Sequence, residues 1–347
     1  MMDKFQQLSS VSFAYVYGFS LRKFQILKRF LPHTKLKRIH SLTNLSSGDY
    51  VITWGMRELK IRDQTYLNVI RVEDGFLRSI GLGTALNEPI SWVFDDRGLY
   101  FNTQQPSRLE TILNDFKFDD NLLCRADNIR KLLISTRLSK YNLQQISANF
   151  PEIKDQQKIL VIGQVEGDAS LEYGSPYIKT NIELLKTVHG LRPDAYIVYR
   201  PHPDVVEGWR KDSINQNHAN LYVKEINTTG DIIDWIEWAD EVHVMTSLSG
   251  FEALIRSKSV HCYGQPFYAG WGLTVDYIQS CREKRKISCE ELIAATLILY
   301  PCYRSLKDIK AGLIEVEDAI QQLQQLKKDH FRKRWNWTNL LKPFLRH

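Results

Sequence analysis

Short apolar runs with strand character alternate with helical spacing in the first part of the chain. The segments 49–55 (DYVITWG) and 66–74 (YLNVIRVED) are rich in β-branched and aromatic residues, as strands are. The segment 89–102 (PISWVFDDRGLYFN) predicts a hairpin with a central turn. Apolar residues at helical spacing predict two helices, at 106–116 and 121–142.

The hydrophobic pattern changes at about residue 150, where short, fully apolar runs begin to alternate with helices. Such runs are typical of strands that are buried on both faces of a parallel sheet. Strand and helix alternate through the segments 157–165, 177–191, 195–204, 231–239, 241–247, 249–257 and 259–266. This alternation predicts a doubly wound parallel sheet, followed by a helical segment that includes 313–328.

The two patterns predict an α/β protein with two Rossmann-like domains that face each other across a central cleft. We expect an N-terminal domain at 1–152, a C-terminal domain at 153–300, and C-terminal helices with a basic aromatic tail at 301–347. Two domains also suit the length, because 347 residues exceed what one typical core holds. Ligands of such sheets bind beyond the carboxyl ends of the strands, so polar motifs at those ends are the candidates for chemistry.

Composition narrows the environment of the protein. A hydrophobic content of 43% and a charged content of 25% are ordinary for a soluble globular protein. No run of 18 apolar residues predicts a membrane-spanning helix, and the start of the chain lacks the apolar core of a secretory signal. The five cysteines are widely spaced without a CxxC pair, which argues against a zinc site or a disulfide framework and favours a reducing cytoplasm.

The net charge of +6 is concentrated in two stretches of the chain. Seven Lys and Arg without an acid lie between Arg22 and Arg38, and seven more against one Asp lie from Lys327 onward. Both stretches interleave basic residues with aromatics and leucine, which suits an anionic membrane surface as well as it suits solvated helix faces. Nucleic acid is not expected as a partner, because no recognition motif accompanies the charge. The expected location is therefore the cytoplasm, peripheral on the inner face of the cytoplasmic membrane.

Three polar motifs follow predicted strands in the C-terminal half, and the first is MTSLSGFEAL at 245–254. Ser247, Ser249 and Gly250 stand where a strand passes into a helix. Hydroxyls and backbone N–H groups at a helix N-terminus suit a phosphate, and Glu252 can accept hydrogen bonds from ribose hydroxyls. The alternative is an ordinary capping box between Ser249 and Glu252.

The second motif is YRPHPD at 199–204. His202 stands between two prolines that hold it in a stiff, extended turn directly after Arg200. A rigid histidine beside an arginine suits a phosphate group, and Pro203 belongs to the same candidate site. The alternative is a plain surface turn.

The third motif, GQVEGDAS at 163–170, follows the first strand of the C-terminal half and offers Gln164 and Asp168. It lacks the GxGxxG spacing of a dinucleotide site, and no P-loop sequence occurs. Together the three motifs predict phosphate and ribose ligands at the ends of three neighbouring strands, which describes a pocket for a nucleotide sugar. No metal-ligand cluster is visible in the sequence, so we expect a metal-independent enzyme without a cofactor, in which cationic groups stabilise the leaving phosphate.

Nine segments between about residues 15 and 275 match a known family: YGFSLRKFQILKRFL, WG at 54–55, VEDGFLRSIGLG, PSRLE, LSKYN, GQVEGDAS, RPHPD, SLSGFEAL and QPFYAGWGLT. On these segments the chain resembles the KpsC-type capsule polysaccharide β-Kdo transferases, which move 3-deoxy-manno-octulosonic acid (Kdo) from CMP-Kdo. The resemblance implies a GT-B fold, CMP bound through His202, Ser247 and Ser249, and retention of the β configuration. The chain holds one such module, whereas many KpsC proteins carry two in tandem.

The adjacent carboxylates Glu73 and Asp74 end a predicted strand and acquire a role from this resemblance. Retention by double displacement needs a carboxylate that attacks the anomeric carbon, and the resemblance implies that Asp74 is this nucleophile. Side chains alternate along an extended chain, so Glu73 is expected to point the other way, and Glu73 or Asp168 is the candidate acceptor base. Arg78 and Ser79 are the candidates for the carboxylate that Kdo carries on its anomeric carbon. The alternative is that the two acids form ion pairs that close a turn.

The resemblance thus implies a retaining β-Kdo transferase with CMP-Kdo as donor and a capsule or other surface glycan as acceptor. Capsule assembly proteins are further candidate partners. Another CMP-sugar such as CMP-sialic acid, or a non-catalytic glycan-binding module at the membrane, remain as alternatives. The segment 263–274 (YGQPFYAGWGLT) is expected to close over the donor.

Overall fold

Two β-sheets with flanking helices make up the part of the chain that the computed structural model describes. The described residues are 11–61, 66–81, 87–142, 149–208, 216–280, 284–308 and 312–341. The strands in chain order are β1 Phe13–Tyr17, β2 Lys35–Ile39, β3 Tyr50–Trp54, β4 Asn68–Asp74, β5 Ser91–Asp95, β6 Lys158–Ile162, β7 Tyr196–Arg200, β8 Glu225–Ile226, β9 Glu241–Val244, β10 Ser259–Cys262, β11 Val275–Asp276, β12 Pro301–Arg304 and β13 Leu313–Ile314.

The helices connect and cover these strands. In chain order they are α1 Leu21–Phe30, α2 Arg108–Asp115, α3 Asp120–Thr136, α4 Ala169–Gly174, α5 Asn181–Leu191, α6 Pro203–Val206, α7 Gln216–Ala219, α8 Ile232–Trp238, α9 Leu248–Ile255, α10 Cys289–Ile293 and α11 Val316–Leu341. A π-helical stretch, Ala294–Leu299, continues α10. Among the described residues, no helix combines the length and the apolar character that a bilayer crossing requires.

The sheet of the C-terminal half is parallel throughout its described strands, in the order β11-β10-β9-β6-β7-β8. The predicted doubly wound sheet is thereby confirmed. Leu184, Leu185 and Val188 of α5 pack on one face, while Ile236 of α8 and Phe251 of α9 pack on the other. From β6 the chain builds first towards β8 and then, from β9, towards β11. The switch point therefore lies between β6 and β9, where sheets of this kind bind their ligands.

The sheet of the N-terminal half is mixed, in the order β13-β12-β5-β4-β3-β1-β2 within the described residues. The pairs among β1, β2, β3 and β4 are parallel, as a Rossmann-like half requires, but β5, β12 and β13 join antiparallel. The apolar side of α1 is buried through Phe24, Ile26, Leu27 and Phe30, so this side of the basic helix faces the core. It is not available as a membrane-facing surface.

Two local predictions are corrected by the N-terminal sheet. The hairpin expected at 89–102 has only one arm, β5, because both edges of β5 are already paired, with β4 and with β12. The segment after residue 300, expected to be helical, begins with β12 and β13, which return the chain to the N-terminal sheet before α11 starts.

Aromatic side chains join the two halves into one continuous core. The ring of Phe76, just after β4, lies 6.3 Å from that of Phe251 in α9 and 4.6 Å from that of Phe267. Tyr100 and Tyr300 complete this contact, at 4.8 and 6.3 Å from Phe76. Such aromatic contacts add to the apolar burial and fix the distance between the two sheets at this point.

Candidate active site

A cleft of about 700 Å³ lies between the carboxyl ends of the two sheets. One wall includes residues at or just after the carboxyl ends of β1, β3 and β4, and the other includes residues at or just after those of β6, β7 and β9. Of the residues predicted from the sequence, the cleft lining contains Glu73, Asp74, Arg78, Gln164, Asp168, Arg200, His202, Pro203, Ser247, Ser249 and Glu252. Ser79 and Gly250 lie directly behind this lining.

Asp74 ends β4 with both carboxylate oxygens engaged. Arg78 donates from Nε to Oδ2 at 2.7 Å, and the indole of Trp92 donates to Oδ1 at 3.1 Å. The same guanidinium donates to Oγ of the buried Ser79 at 2.9 Å, so Ser79 orients Arg78 from behind. Gly75 is required for close packing, since a Cβ there would lie 2.2 Å from Oγ of Ser91. These contacts hold Asp74 in one orientation at the cleft wall.

Glu73 also lines the cleft, although alternation along the strand predicted that it would point away from Asp74. The strand ends at Asp74, and the N–H of Asp74 donates to Oε1 of Glu73 at 2.9 Å. Burial and the neighbouring Asp74 raise the pKa of Glu73 to about 7, against the opposing effects of Lys23 and Lys140. A carboxyl group with a pKa near neutrality is suited to take up and release protons.

Lys23, Lys140 and Tyr100 line the cleft as well, and reasoning from the sequence missed all three. Burial lowers the pKa of Lys140, but Tyr141, Tyr100 and the carboxylates outweigh it, so the net shift is upward. Burial lowers the pKa of Lys23, which lies over the ring of Trp54 with Nζ 3.1 Å from the centroid. Lys140 was within reach of a sequence signal, because it is the central residue of LSKYN.

The opposite wall begins with the N-terminus of α9. Ser247 is the N-cap and accepts from the N–H of Ser249 at 3.3 Å, so the capping box between Ser249 and Glu252 is not formed. Glu252 instead accepts from the N–H of Lys140 at 2.8 Å, and burial raises its pKa to about 7. A Cβ on Gly250 would lie 2.2 Å from Oη of Tyr268, which explains why glycine stands beneath the wall.

Gln164 and Thr246 close the switch point between β6 and β9. The side-chain oxygen of Gln164 accepts from the N–H of Thr246 at 2.7 Å, and its amide nitrogen donates to Oγ1 of Thr246 at 3.0 Å. Asn181 of α5 holds the main chain of Gln164 through two further bonds, at 2.8 and 2.9 Å. The crevice is therefore built from a rigid hydrogen-bonded turn.

Arg200 and His202 follow β7 with different partners. Arg200 donates to the carbonyl of Thr229 at 2.6 Å and to that of Gly230, and burial lowers its pKa to about 10. The guanidinium therefore holds the loop that follows β8. His202 is the N-cap of α6, where its Nδ1 accepts from the N–H of Asp204 at 3.1 Å. Because Nδ1 accepts, the neutral imidazole carries its proton on Nε2.

Asp168 and the segment 263–274 contribute to the rim and the floor of the cleft. Asp168 is exposed at the rim, where Oγ of Ser170 donates to its carboxylate at 2.9 Å. The segment 263–274 was expected to close over the donor, but its large aromatics Tyr268 and Trp271 are buried in the core. It therefore forms part of the fixed floor in this structure.

Comparison with known proteins decides the family. The family model described as "Capsule polysaccharide biosynthesis protein" matches residues 49–303. The chain belongs to this capsule synthesis family. Capsule polysaccharide modification protein LipA of Neisseria meningitidis serogroup A is 44% identical over 89% of this chain and 45% of LipA. The chain thus spans about half the length of this curated relative.

Two solved structures of Thermosulfurimonas dismutans KpsC are similar to the chain over nearly their whole length. The one described as a beta Kdo 2,7 transferase is 42% identical with a TM-score of 0.76, covering 91% of this chain and 99% of that one. The one described as a beta Kdo 2,4 transferase is 30% identical with a TM-score of 0.77, covering 89% and 97%. The predicted KpsC-type family and the α/β fold are confirmed.

A second group of titratable residues in this family member lies in the C-terminal sheet, outside the cleft lining; we call it the histidine cluster. It consists of Glu241, His243, His261 and Arg192. Nε2 of His243 and of His261 lie 3.0 and 3.4 Å from the carboxylate of Glu241, and Nε of Arg192 lies 3.3 Å from it. The ligand atoms are close enough together for a metal ion, but Arg192 already supplies the cation that Glu241 needs.

The pKa values of the histidine cluster follow from this pairing. The hydrogen bond from His243 lowers the pKa of Glu241 to about 2, even though burial opposes it. Burial, together with the neighbouring His243, lowers the pKa of His261 to about 4. Nδ1 of His243 is bonded to the hydroxyl of Tyr263 at 3.0 Å. The cluster is therefore a closed network of carboxylate, guanidinium and neutral imidazoles.

Proposed function

We propose that the chain is a retaining β-Kdo transferase of GT-B architecture, which moves Kdo from CMP-Kdo to a capsule or related surface glycan. The observation that carries this proposal is the likeness to both solved KpsC structures, combined with Asp74 in the cleft opposite the N-terminus of α9. The two sheets with the cleft between their carboxyl ends support the GT-B assignment.

The C-terminal wall is the proposed CMP site. The α9 N-terminus, with the hydroxyls of Ser247 and Ser249, offers donors to the phosphate, and the imidazole of His202 faces the same cleft. Glu252 is partly neutral near pH 7 and is placed to bond ribose hydroxyls. Arg200 serves the site through the loop that it holds.

Asp74 is the proposed nucleophile. A carboxylate oxygen of Asp74 bonds to the anomeric carbon while the bond from that carbon to the phosphate oxygen breaks, and CMP leaves with the electron pair. The acceptor hydroxyl oxygen then bonds to the same carbon, and Asp74 leaves with the electron pair of the ester bond. Two inversions return the β configuration. Arg78 and Trp92 keep Asp74 aligned for both steps.

Glu73 is the proposed base for the acceptor hydroxyl. Its raised pKa, about 7, lets it hold the proton that the acceptor loses and return it to solvent. Asp168 is the second candidate, but it is exposed at the rim and bonded to Ser170. Cationic side chains of the cleft stabilise the leaving phosphate, so we propose that transfer needs neither a metal nor a cofactor.

The test is incubation of the chain with CMP-Kdo and a panel of Kdo-containing and lipid-linked acceptors, in the presence of EDTA. A β-linked Kdo product, identified by NMR, is the expected result. Transfer from CMP-sialic acid but not from CMP-Kdo would mean that the donor is CMP-sialic acid. Glycan binding without release of CMP from any donor would mean a non-catalytic binding module.

We also propose peripheral attachment to the inner face of the cytoplasmic membrane through residues 331–347, which contain five Lys and Arg and no acid. Removal of this segment is expected to weaken binding to vesicles that contain phosphatidylglycerol, but not transfer to a soluble acceptor. The cut preserves Lys327, whose Nζ donates to the carbonyl of Arg137 at 2.7 Å. Unchanged vesicle binding would rule out this segment as the attachment site.

A further inference from the structure

Two lysine ammonium groups line the cleft near the carboxylates at the end of β4. Within the described residues, Nζ of Lys23 and Nζ of Lys140 make no hydrogen bond and no ion pair, although both residues line the cleft. Each contacts an aromatic ring instead: Nζ of Lys23 lies 3.1 Å from the ring centre of Trp54, and Nζ of Lys140 lies 5.2 Å from that of Tyr141. Each ammonium group therefore keeps N–H donors that an anionic ligand in the cleft can use.

Both lysines act electrostatically on the reacting carboxylates. Lys23 comes from α1 and Lys140 from the loop after α3, and Glu73 experiences the charge of both. Asp74 also interacts electrostatically with both lysines. The two cations therefore approach the end of β4 from different elements.

The residues that the sequence suggested for the donor carboxylate are engaged elsewhere. Nε of Arg78 is bonded to Asp74 at 2.7 Å. Ser79 is buried behind the cleft, where its Oγ donates to the carbonyl of Gly81 at 2.7 Å. Nη1 of Arg78 is bonded to Ser79 and to the carbonyl of Asn87, so a second anion beside Asp74 gains from further cations.

We propose that Lys23 and Lys140 form the subsite for the carboxylate that a 2-ulosonic acid donor carries on its anomeric carbon. This inference rests on the proposed function, since it presumes that Asp74 attacks such a carbon. The donor then brings a carboxylate next to the carboxylates of Asp74 and Glu73, and the two ammonium groups offset the repulsion. Aldose donors lack this carboxylate, so the same pair selects the class of sugar.

The test compares CMP-Kdo, its C1 carboxamide and CMP, using the full chain and the variants Lys140→Met and Lys23→Met. Affinities are measured by calorimetry and, for the donors, kcat and KM by product analysis. Lys28→Met is the matched control, because Lys28 lies on the same helix as Lys23 but is exposed and outside the cleft lining.

Wild-type protein should bind CMP-Kdo roughly tenfold or more tightly than the carboxamide, as expected for charge-assisted hydrogen bonds to a carboxylate. Each lysine variant should lose most of this preference while its affinity for CMP stays within about twofold of wild type. Lys140→Arg should restore part of the preference, which a purely structural role for Lys140 would not explain.

Two results would overturn the subsite. Equal losses for CMP and CMP-Kdo would assign the lysines to the phosphate, and an undiminished preference for the carboxylate in both variants would place its binding site elsewhere. Failure of the proposed function looks different: wild-type protein would transfer no Kdo to any acceptor, whatever its preference between the acid and the amide.

Discussion

The cleft and the histidine cluster both gather carboxylates and cations, yet they differ in how the charges are paired. In the histidine cluster Arg192 and both imidazoles engage Glu241, and the pKa shifts favour the charge state that this pairing needs. In the cleft Arg78 pairs with Asp74, while Lys23 and Lys140 face the cavity without such a partner in the described residues. The difference teaches that charge density and shifted pKa values do not mark a site. A site is marked by charged groups beside a cavity whose hydrogen-bond donors are not used within the protein.

The largest effect, a loss of transfer, is expected from Asp74→Asn in the cleft. This change should reduce transfer roughly a thousandfold or more, as removal of a covalent nucleophile does, while CMP binds as before. Intact-protein mass spectrometry after mixing with CMP-Kdo alone should show a Kdo adduct on wild type and none on the variant. Glu73→Gln should still form the adduct but transfer it slowly.

Asp115→Asn is the control for Asp74→Asn, because Asp115 is exposed at the end of α2. An adduct that maps to Glu73 or Asp168, or near wild-type transfer by Asp74→Asn, would contradict the assignment of the nucleophile.

A smaller effect is expected from His202→Asn. Asparagine keeps an acceptor for the N–H of Asp204 at the N-cap of α6 but removes the imidazole. The affinity for CMP should fall by roughly 1.5–3 kcal/mol, measured by calorimetry, if the imidazole bonds the phosphate. Unchanged affinity would mean that His202 only caps α6. His218→Ala is the control, because His218 is exposed.

The histidine cluster should respond in stability and not in catalysis. The pKa of His261 is lowered to about 4 in the folded chain, so the unfolded chain binds the proton more readily between about pH 6.5 and pH 4. Stability should therefore fall over this range as the pH decreases, by up to a few kcal/mol. His261→Gln should flatten this dependence in urea unfolding, with KM for the donor unchanged. A change in KM would make the histidine cluster part of the site.

The smallest effect is expected from Glu252→Gln. Glu252 is a carboxyl group of the cleft whose pKa is raised, whereas that of His261 is lowered. Its folded pKa, about 7, lies above the ordinary 4.5, so the folded chain retains a proton that the unfolded chain releases. The free energy of unfolding should fall as the pH rises from about 4.5 to 7, and at pH 8 the loss should be about 1–3 kcal/mol. The variant should not show this loss. Glutamine can still accept from the N–H of Lys140. An unaltered slope would mean that Glu252 titrates normally.

The sequence predicts the features of this molecule that have local causes. The fully apolar runs predicted the strands of the C-terminal sheet and their parallel direction, because a strand that is buried on both faces is apolar at nearly every position. The polar motifs predicted most of the C-terminal wall of the cleft, because the ends of parallel strands meet at one edge of the sheet.

The features that the sequence did not predict depend on contacts between distant segments. β12 is four residues long and pairs with β5, about 200 residues earlier, so nothing in its own pattern identifies its partner. The sequence offered Glu252 as a ribose ligand or as part of a capping box, and did not predict that it accepts from the main-chain N–H of Lys140. The position of Lys23 in the cleft was not evident from the sequence, because Lys23 belongs to a basic stretch that suits a membrane surface equally well.

The main chain of Lys140 has a mechanical consequence. Its N–H is bonded to Glu252 of α9 at 2.8 Å, and its carbonyl accepts from the N–H groups of Arg78 and Ser79, shortly after Asp74, each at 3.3 Å. One residue thus fastens both walls together, next to the packed rings of Phe76 and Phe251. If the two sheets rotate towards each other as the cleft fills, the hinge axis must pass close to this residue. Points near an axis move least, so Asp74 and the N-terminus of α9 would keep their spacing while the rim of the cleft moved furthest.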